Sequence, residues 1–358
     1  MLQASSLSRR QLLRVVGLGG MALTAAGLSG CRRSVAGQVL AVRSALPQPW
    51  LKALPVGWNS RLFESPQALL EHTQQLPLSS ALISLSDGWA APLPREQLLP
   101  LDAAPLLDQL DPMAKPVSRL FAPAESPALA FPWAFGTWVV LLRNRSDLFA
   151  RREEGWNLLL DPSLRGRLVL PASPRVLIEL ALRQLERVAA DATALADPRL
   201  PSQLRRLHAQ ALSLDERDGV NFLLAGDADA AVVTSQQALP LLQRDQRLTA
   251  FLPASGSPLW WQLLLHWQPA QAGVRSPWPL EWLRDGIQSP LLPRLLRAGW
   301  VPPLPTEVLA DALAAWPERL RTLLVPPPAV LSRCTTLMPL NAEEQQRWQH
   351  LWDQSLPG

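Results

Sequence analysis

The chain has 358 residues, 48% of them apolar, and a formal net charge of +4, to which Arg9, Arg10 and Arg14 near the N-terminus contribute three. Without those arginines the remainder is close to neutral, so its charge gives no argument for a nucleic-acid partner. The apolar content is enough to build two cored domains, and the 36 prolines punctuate apolar segments instead of forming a polar tract, which excludes a disordered chain.

Residues 1–30 read as an export signal. Arg9, Arg10 and Arg14 precede an apolar stretch, Val15 to Leu28, that is broken by Gly17, Gly19, Gly20 and Gly27. It is shorter than the roughly 20 apolar residues of a membrane span and has the order of a signal peptide. Ser8-Arg9-Arg10-Gln11-Leu12-Leu13-Arg14 has a twin-arginine pattern. Leu28-Ser29-Gly30-Cys31 has the pattern of a bacterial lipobox, which makes Cys31 the expected lipid anchor and the periplasm, at a membrane, the expected location. Arg32 and Arg33 beside it suit anionic headgroups. The other cysteine, Cys334, is then left without a partner, so the fold is expected to stand on its apolar core. His72, His208, His266 and His350 lie too far apart in sequence for a Cys/His metal site, and neither metal nor cofactor is expected.

From Val39 onward short apolar runs alternate with helical patterns, which predicts α/β architecture. Strands are predicted at Val39–Val42, Ala81–Leu85, Leu129–Trp133, Trp138–Leu142, Arg167–Leu170, Ala230–Thr234, Leu248–Leu252 and Leu259–His266. Several are unbroken apolar runs, as in strands covered on both faces. A serine before a proline at Ser65-Pro66 and Ser173-Pro174 marks two helix starts. The clearest predicted helix runs over 174–196, with others over 201–212, 219–225, 235–242, 280–286, 290–299 and 306–323. Asn341-Ala342-Glu343-Glu344 opens a last helix bearing Trp348 and Trp352.

Particular residues narrow this pattern. Phe131-Pro132-Trp133-Ala134-Phe135-Gly136-Thr137 precedes the apolar run 138–144. Trp156-Asn157-Leu158-Leu159-Leu160-Asp161-Pro162 is followed by Leu164-Arg165-Gly166-Arg167-Leu168-Val169-Leu170. Further on stand Asp227-Ala228-Asp229-Ala230, then Ser255-Gly256-Ser257-Pro258-Leu259-Trp260-Trp261, and a Trp-Val-Pro-Pro turn at 300–303. In this order the segments resemble the spermidine/putrescine-binding components of ABC importers, over roughly residues 40–305. The resemblance implies a two-lobed periplasmic-binding-protein type 2 fold, in which two strands cross between lobes and each lobe is a mixed sheet with helices on both faces. It puts the crossings near residues 135–138 and 260–262, lobe 1 at 38–136 plus 262–305, and lobe 2 at 137–261 plus 306–358. A monomer that hands a small solute to an ABC permease and ATPase complex is the implied role.

The same resemblance nominates the cleft. Trp89, after Ser86-Asp87-Gly88, and Trp260 match aromatic positions of the family, and Trp133 sits beside the crossing. Asp87 is an acid at a strand end. The expected acids are missing elsewhere: Ala172, Ser173 and Val176 stand at the start of the 174–196 helix, with Arg175 among them, and Gln262 and Thr234 replace an acid and a tryptophan. The expected ligand-binding set is therefore Asp87, Trp89, Trp133, Ser173, Thr234, Trp260 and Gln262. Glu216 or Asp218 is a further carboxylate near the cleft. A polyamine-like cation is favoured; an anion, suited by Ser173 beside Arg175, an amino acid, or a non-transport scaffold or sensor role are the alternatives. Ferric-ion-binding relatives of this superfamily use tyrosines, and the chain has none. No Gly-x-Ser-x-Gly elbow, His-Glu-x-x-His or P-loop is present, so no enzyme is expected.

Overall fold

The computed structural model describes residues 37–75, 81–188, 193–268 and 277–356; the expected signal peptide, the lipobox pattern and Cys31 lie outside them. The first half of the chain lays down three parallel strands, β1 (Gly37–Val42), β2 (Trp58–Phe63) and β3 (Ala81–Ser86). β1 and β3 are the predicted apolar runs. β2 escaped prediction because it is an edge strand, with exposed Asn59, Ser60 and Arg61 in place of an apolar run.

β4 (Ala130–Arg143) is the spine. It joins two predicted strands into one, and all of its residues up to Leu142 are buried. β5 (Leu168–Leu170), β6 (Ala211–Leu214), β7 (Ala230–Thr234) and β8 (Leu248–Phe251) follow, then β9 (Pro258–Trp267) and β10 (Thr335–Thr336). The order is β2-β1-β3-β9-β4-β7-β5-β6, with β8 also on β4 and β10 also on β9. Through Thr137, β4 pairs antiparallel with β9; from Trp138 it pairs with β7. One strand thereby belongs to both sheets. β9 continues from that junction to pair with β3.

Alternation along these strands covers both faces of the second sheet. Val140 and Leu142 point into a core with Trp156, Leu177 and Leu204, while Val139 and Leu141 point into another with Val169 and Leu223. The first sheet has its own core, which includes Val39, Ile83, Phe131 and Leu263. Leu309 and Leu313 of helix Thr306–Leu313 join that first core, whereas Trp348 of helix Ala342–Asp353 joins the core around Trp156. Between them the chain passes over a third time: Cys334 packs on one core, Leu337 on the other, and Thr336 of β10 stands beside Leu259 of β9. Leu259 also faces Thr137 of β4, so three chain segments run side by side at the junction.

Two long predicted helices are shorter than expected. The one starting at Pro174 ends at Gln184, where Glu186 takes a positive φ of 59° and the Arg187 N–H closes back on the Leu182 carbonyl. The 306–323 prediction splits into Thr306–Leu313 and Glu318–Leu324 because Pro317 interrupts it. In the same way the 201–212 prediction ran two residues into β6, which begins at Ala211.

Candidate functional site

Strands β3, β5 and β7 end close to a common cavity of about 670 Å³. Carboxyl ends of strands are where α/β sheets leave a crevice for ligands. From the first sheet Ser86, Asp87 and Trp89 line it, on the chain leaving β3 and the short helix Asp87–Ala90. Trp260 and Gln262 come from one face of β9 and Trp138 from β4. The second sheet contributes Ser173 and Arg175 at the start of helix Pro174–Gln184, and Thr234 and Gln237 at the start of helix Ser235–Leu242. Glu216 and Trp300 complete the wall.

Six expected residues, Asp87, Trp89, Ser173, Thr234, Trp260 and Gln262, thus come together. Trp133 does not. Pro132 cannot donate to a strand ladder, the β4–β9 register slips between Pro132 and Ala134, and Trp133 turns into the core, where it is fully buried. There its ring lies 5.1 Å from Trp50 and 4.8 Å from Trp300. Its part is indirect: Trp300 in turn meets Trp260 edge-on at 5.8 Å, so the cleft wall rests on packed indoles.

Several lining side chains are engaged in building the walls. The Ser173 hydroxyl caps its helix by accepting from the Val176 N–H at 3.4 Å. Thr234 and Gln237 form a reciprocal capping box, and the Gln262 amide donates to the Ser84 hydroxyl at 3.0 Å. Asp87 is different. Its carboxylate accepts the Trp261 N–H at 3.3 Å, yet desolvation outweighs that bond and the attraction of Arg175, pushing its pKa up to about 6. Arg175 donates to the Met338 carbonyl and stacks 5.9 Å over Trp348; burial pulls its pKa below the ordinary value, with Asp87 first among the charges opposing this.

Glu216 is the lining acid that sequence patterning leaves undecided, since Asp215, Arg217 and Asp218 around it look like one solvated run. The residue is exposed overall, but its carboxylate is enclosed enough that burial raises its pKa, against the 2.8 Å bond it accepts from the Ser173 N–H. Asp215 accepts from the N–H groups of Arg217 and Asp218 and stiffens the loop. On its outer side Arg217 donates to the Glu64 carbonyl at 3.0 Å and comes within 3.6 Å of the Glu64 carboxylate, tying the loop to the chain after β2.

Gly136 on β4 is what lets Trp260 lie flat at the junction. A Cβ there would stand 2.7 Å from the Trp260 ring and 2.6 Å from the Ser235 hydroxyl. Gly136→Val is therefore expected to displace the indole and to cost about 1–3 kcal/mol of stability by overpacking. Urea unfolding measures the loss; a variant as stable as the parent contradicts this packing.

Two α/β lobes joined by crossing strands, with a cavity at their strand ends, constitute the type 2 periplasmic-binding-protein fold. No family model matches the sequence, and no curated protein does. Among solved structures the chain is similar to the spermidine/putrescine ABC transporter substrate-binding protein PotD of Streptococcus pneumoniae, at a TM-score of 0.70 and 15% identity, over 89% of this chain and 97% of that one. A putative spermidine/putrescine ABC transporter from Listeria monocytogenes aligns at 0.64 and 18% identity, over 89% and 98%. The TpPotD lipoprotein of Treponema pallidum aligns at 0.64 and 13% identity, again over 89% and 98%. At such identities the likeness establishes the fold.

Proposed function

We propose that the chain is an exported solute-binding protein, anchored at a membrane through lipidated Cys31, that delivers a small polyamine-like cation to an ABC importer. The observation that carries this reading is a cleft in which the carboxylates of Asp87 and Glu216 accompany the indoles of Trp89, Trp138, Trp260 and Trp300. Indole faces attract ammonium groups and cover methylene chains, and carboxylates hold the charged ends. We divide the lobes near residues 136 and 262, with Thr306–Leu313 joined to lobe 1 by its packing on that core. The chain works as a monomer in this reading.

Arg175 in the same cleft favours a second reading, an amino-acid-like zwitterion. Thermal unfolding with spermidine, putrescine, amino acids and sulfate separates the two. A ligand at 100-fold excess over its Kd stabilises by about 2.7 kcal/mol. Stabilisation by the amines supports the first reading and by amino acids alone the second. Stabilisation by sulfate alone overturns both, and no response to any of them favours a scaffold or sensor.

A further inference from the structure

We infer that Glu216 is a specificity-determining residue, the acid through which the second lobe gives the cleft its preference for cations. This deepens the polyamine-like reading and rests on it. Asp87 follows β3 of the first sheet, whereas Glu216 sits between β6 and helix Val220–Ala225 of the second, and both line one cavity. Each half of the protein therefore presents a carboxylate to the same ligand. Glu216 is held in that position from three sides. Its Oε1 accepts the Ser173 N–H at 2.8 Å, its carbonyl accepts from Gln237 Nε2 at 2.9 Å, and its neighbour Arg217 is fastened to Glu64.

This placement acts on two ligand classes at once. The start of helix Pro174–Gln184 carries a positive end that would draw an anion. The Glu216 carboxylate already fills that place from within the chain, so an incoming anion meets negative charge instead. An ammonium group meets a carboxylate whose position is fixed before binding, and a cation touching both Glu216 and Asp87 has reason to hold the lobes together. Arg175 keeps its charge, since the Met338 carbonyl and the Trp348 ring that it meets are neutral, but the carboxylate it faces is Asp87, which leaves Glu216 as the lining acid with no cation set against it in the cleft.

The test is calorimetric titration of the full chain, its Glu216→Gln variant and its Glu216→Ala variant with spermidine and with sulfate. Glutamine keeps an acceptor for the Ser173 N–H and removes only the charge, so it is expected to weaken spermidine at least tenfold without admitting sulfate. Alanine empties the helix start and is expected to weaken spermidine similarly and to gain sulfate binding. Unchanged spermidine affinity in both variants, with no gain of sulfate, overturns the inference while leaving the polyamine-like reading intact. If the parent ignores spermidine yet Glu216→Ala gains sulfate, the polyamine-like reading falls and the charge filter at Glu216 stands. No gain of sulfate in a parent that ignores spermidine overturns both.

Discussion

Asp87→Asn is expected to make the ligand-free protein more stable at pH 7 while removing the capture of cations proposed for it. The folded-state pKa of Asp87 is raised from 3.8 to about 6 by desolvation. At pH 3 the carboxyl is protonated folded or unfolded and contributes nothing. As pH climbs through 4 to 6 the unfolded chain releases the proton first, so the folded state loses stability, and the whole deficit is present above about pH 6. Two pKa units correspond to at most about 3 kcal/mol. The gain from asparagine falls short of that bound because Arg175 loses a countercharge. Urea titrations at pH 3 and pH 7 check the sign: the variant should gain only at the higher pH. An equal effect at both values would show that the carboxylate is not strained in the cleft. The proposed cation binding by the parent should weaken on acidification below about pH 6, where Asp87 takes up its proton.

Arg183→Met is expected to be the costliest single substitution away from the cleft. Arg183 and Glu179 pair at 3.0 Å with side chains 1% and 0% exposed. Arg183 also donates to the carbonyls of Ser255 and Arg333 and to the Thr335 hydroxyl, which in turn donates to Glu179. Methionine would leave the Glu179 charge buried and strip two carbonyls of a donor. Breaking one side of a buried pair costs about 3–5 kcal/mol, roughly 10 °C in Tm for a chain of this size. Converting Glu179 to leucine as well removes the stranded charge, so the double variant should be more stable than Arg183→Met alone. Calorimetric melting of the two decides it, and a single variant within about 1 kcal/mol of the parent would refute the pairing energetics.

How much of this could be read from the sequence depended on what each residue's neighbours say about it. β5 and β7 are apolar runs and β3 and β9 nearly so, interrupted only by Ser84 in one and by Gln262 and His266 in the other, and Asp87 is conspicuous as the acid just past the end of β3. That was enough for the α/β pattern and for six of the residues now found around one cavity. β2 and β6 sit at the sheet edges, where half of the side chains meet water and the apolar signal fades. Trp133 was misplaced because the side a strand residue faces depends on a register slip that only the pairing with β9 reveals. The Glu216 carboxylate is set apart from those of its neighbours by its contact with the Ser173 N–H, 43 residues away in sequence, and no local pattern encodes that contact.

Thr137, Leu259 and Thr336 lie next to one another on three strands that each pass from one half to the other. Like the knuckles of a door, they permit swing about an axis across the strands, whereas sliding or corkscrew displacement would have to break the bonds between them. Any opening of the crevice that kept these pairings would follow a single swing angle.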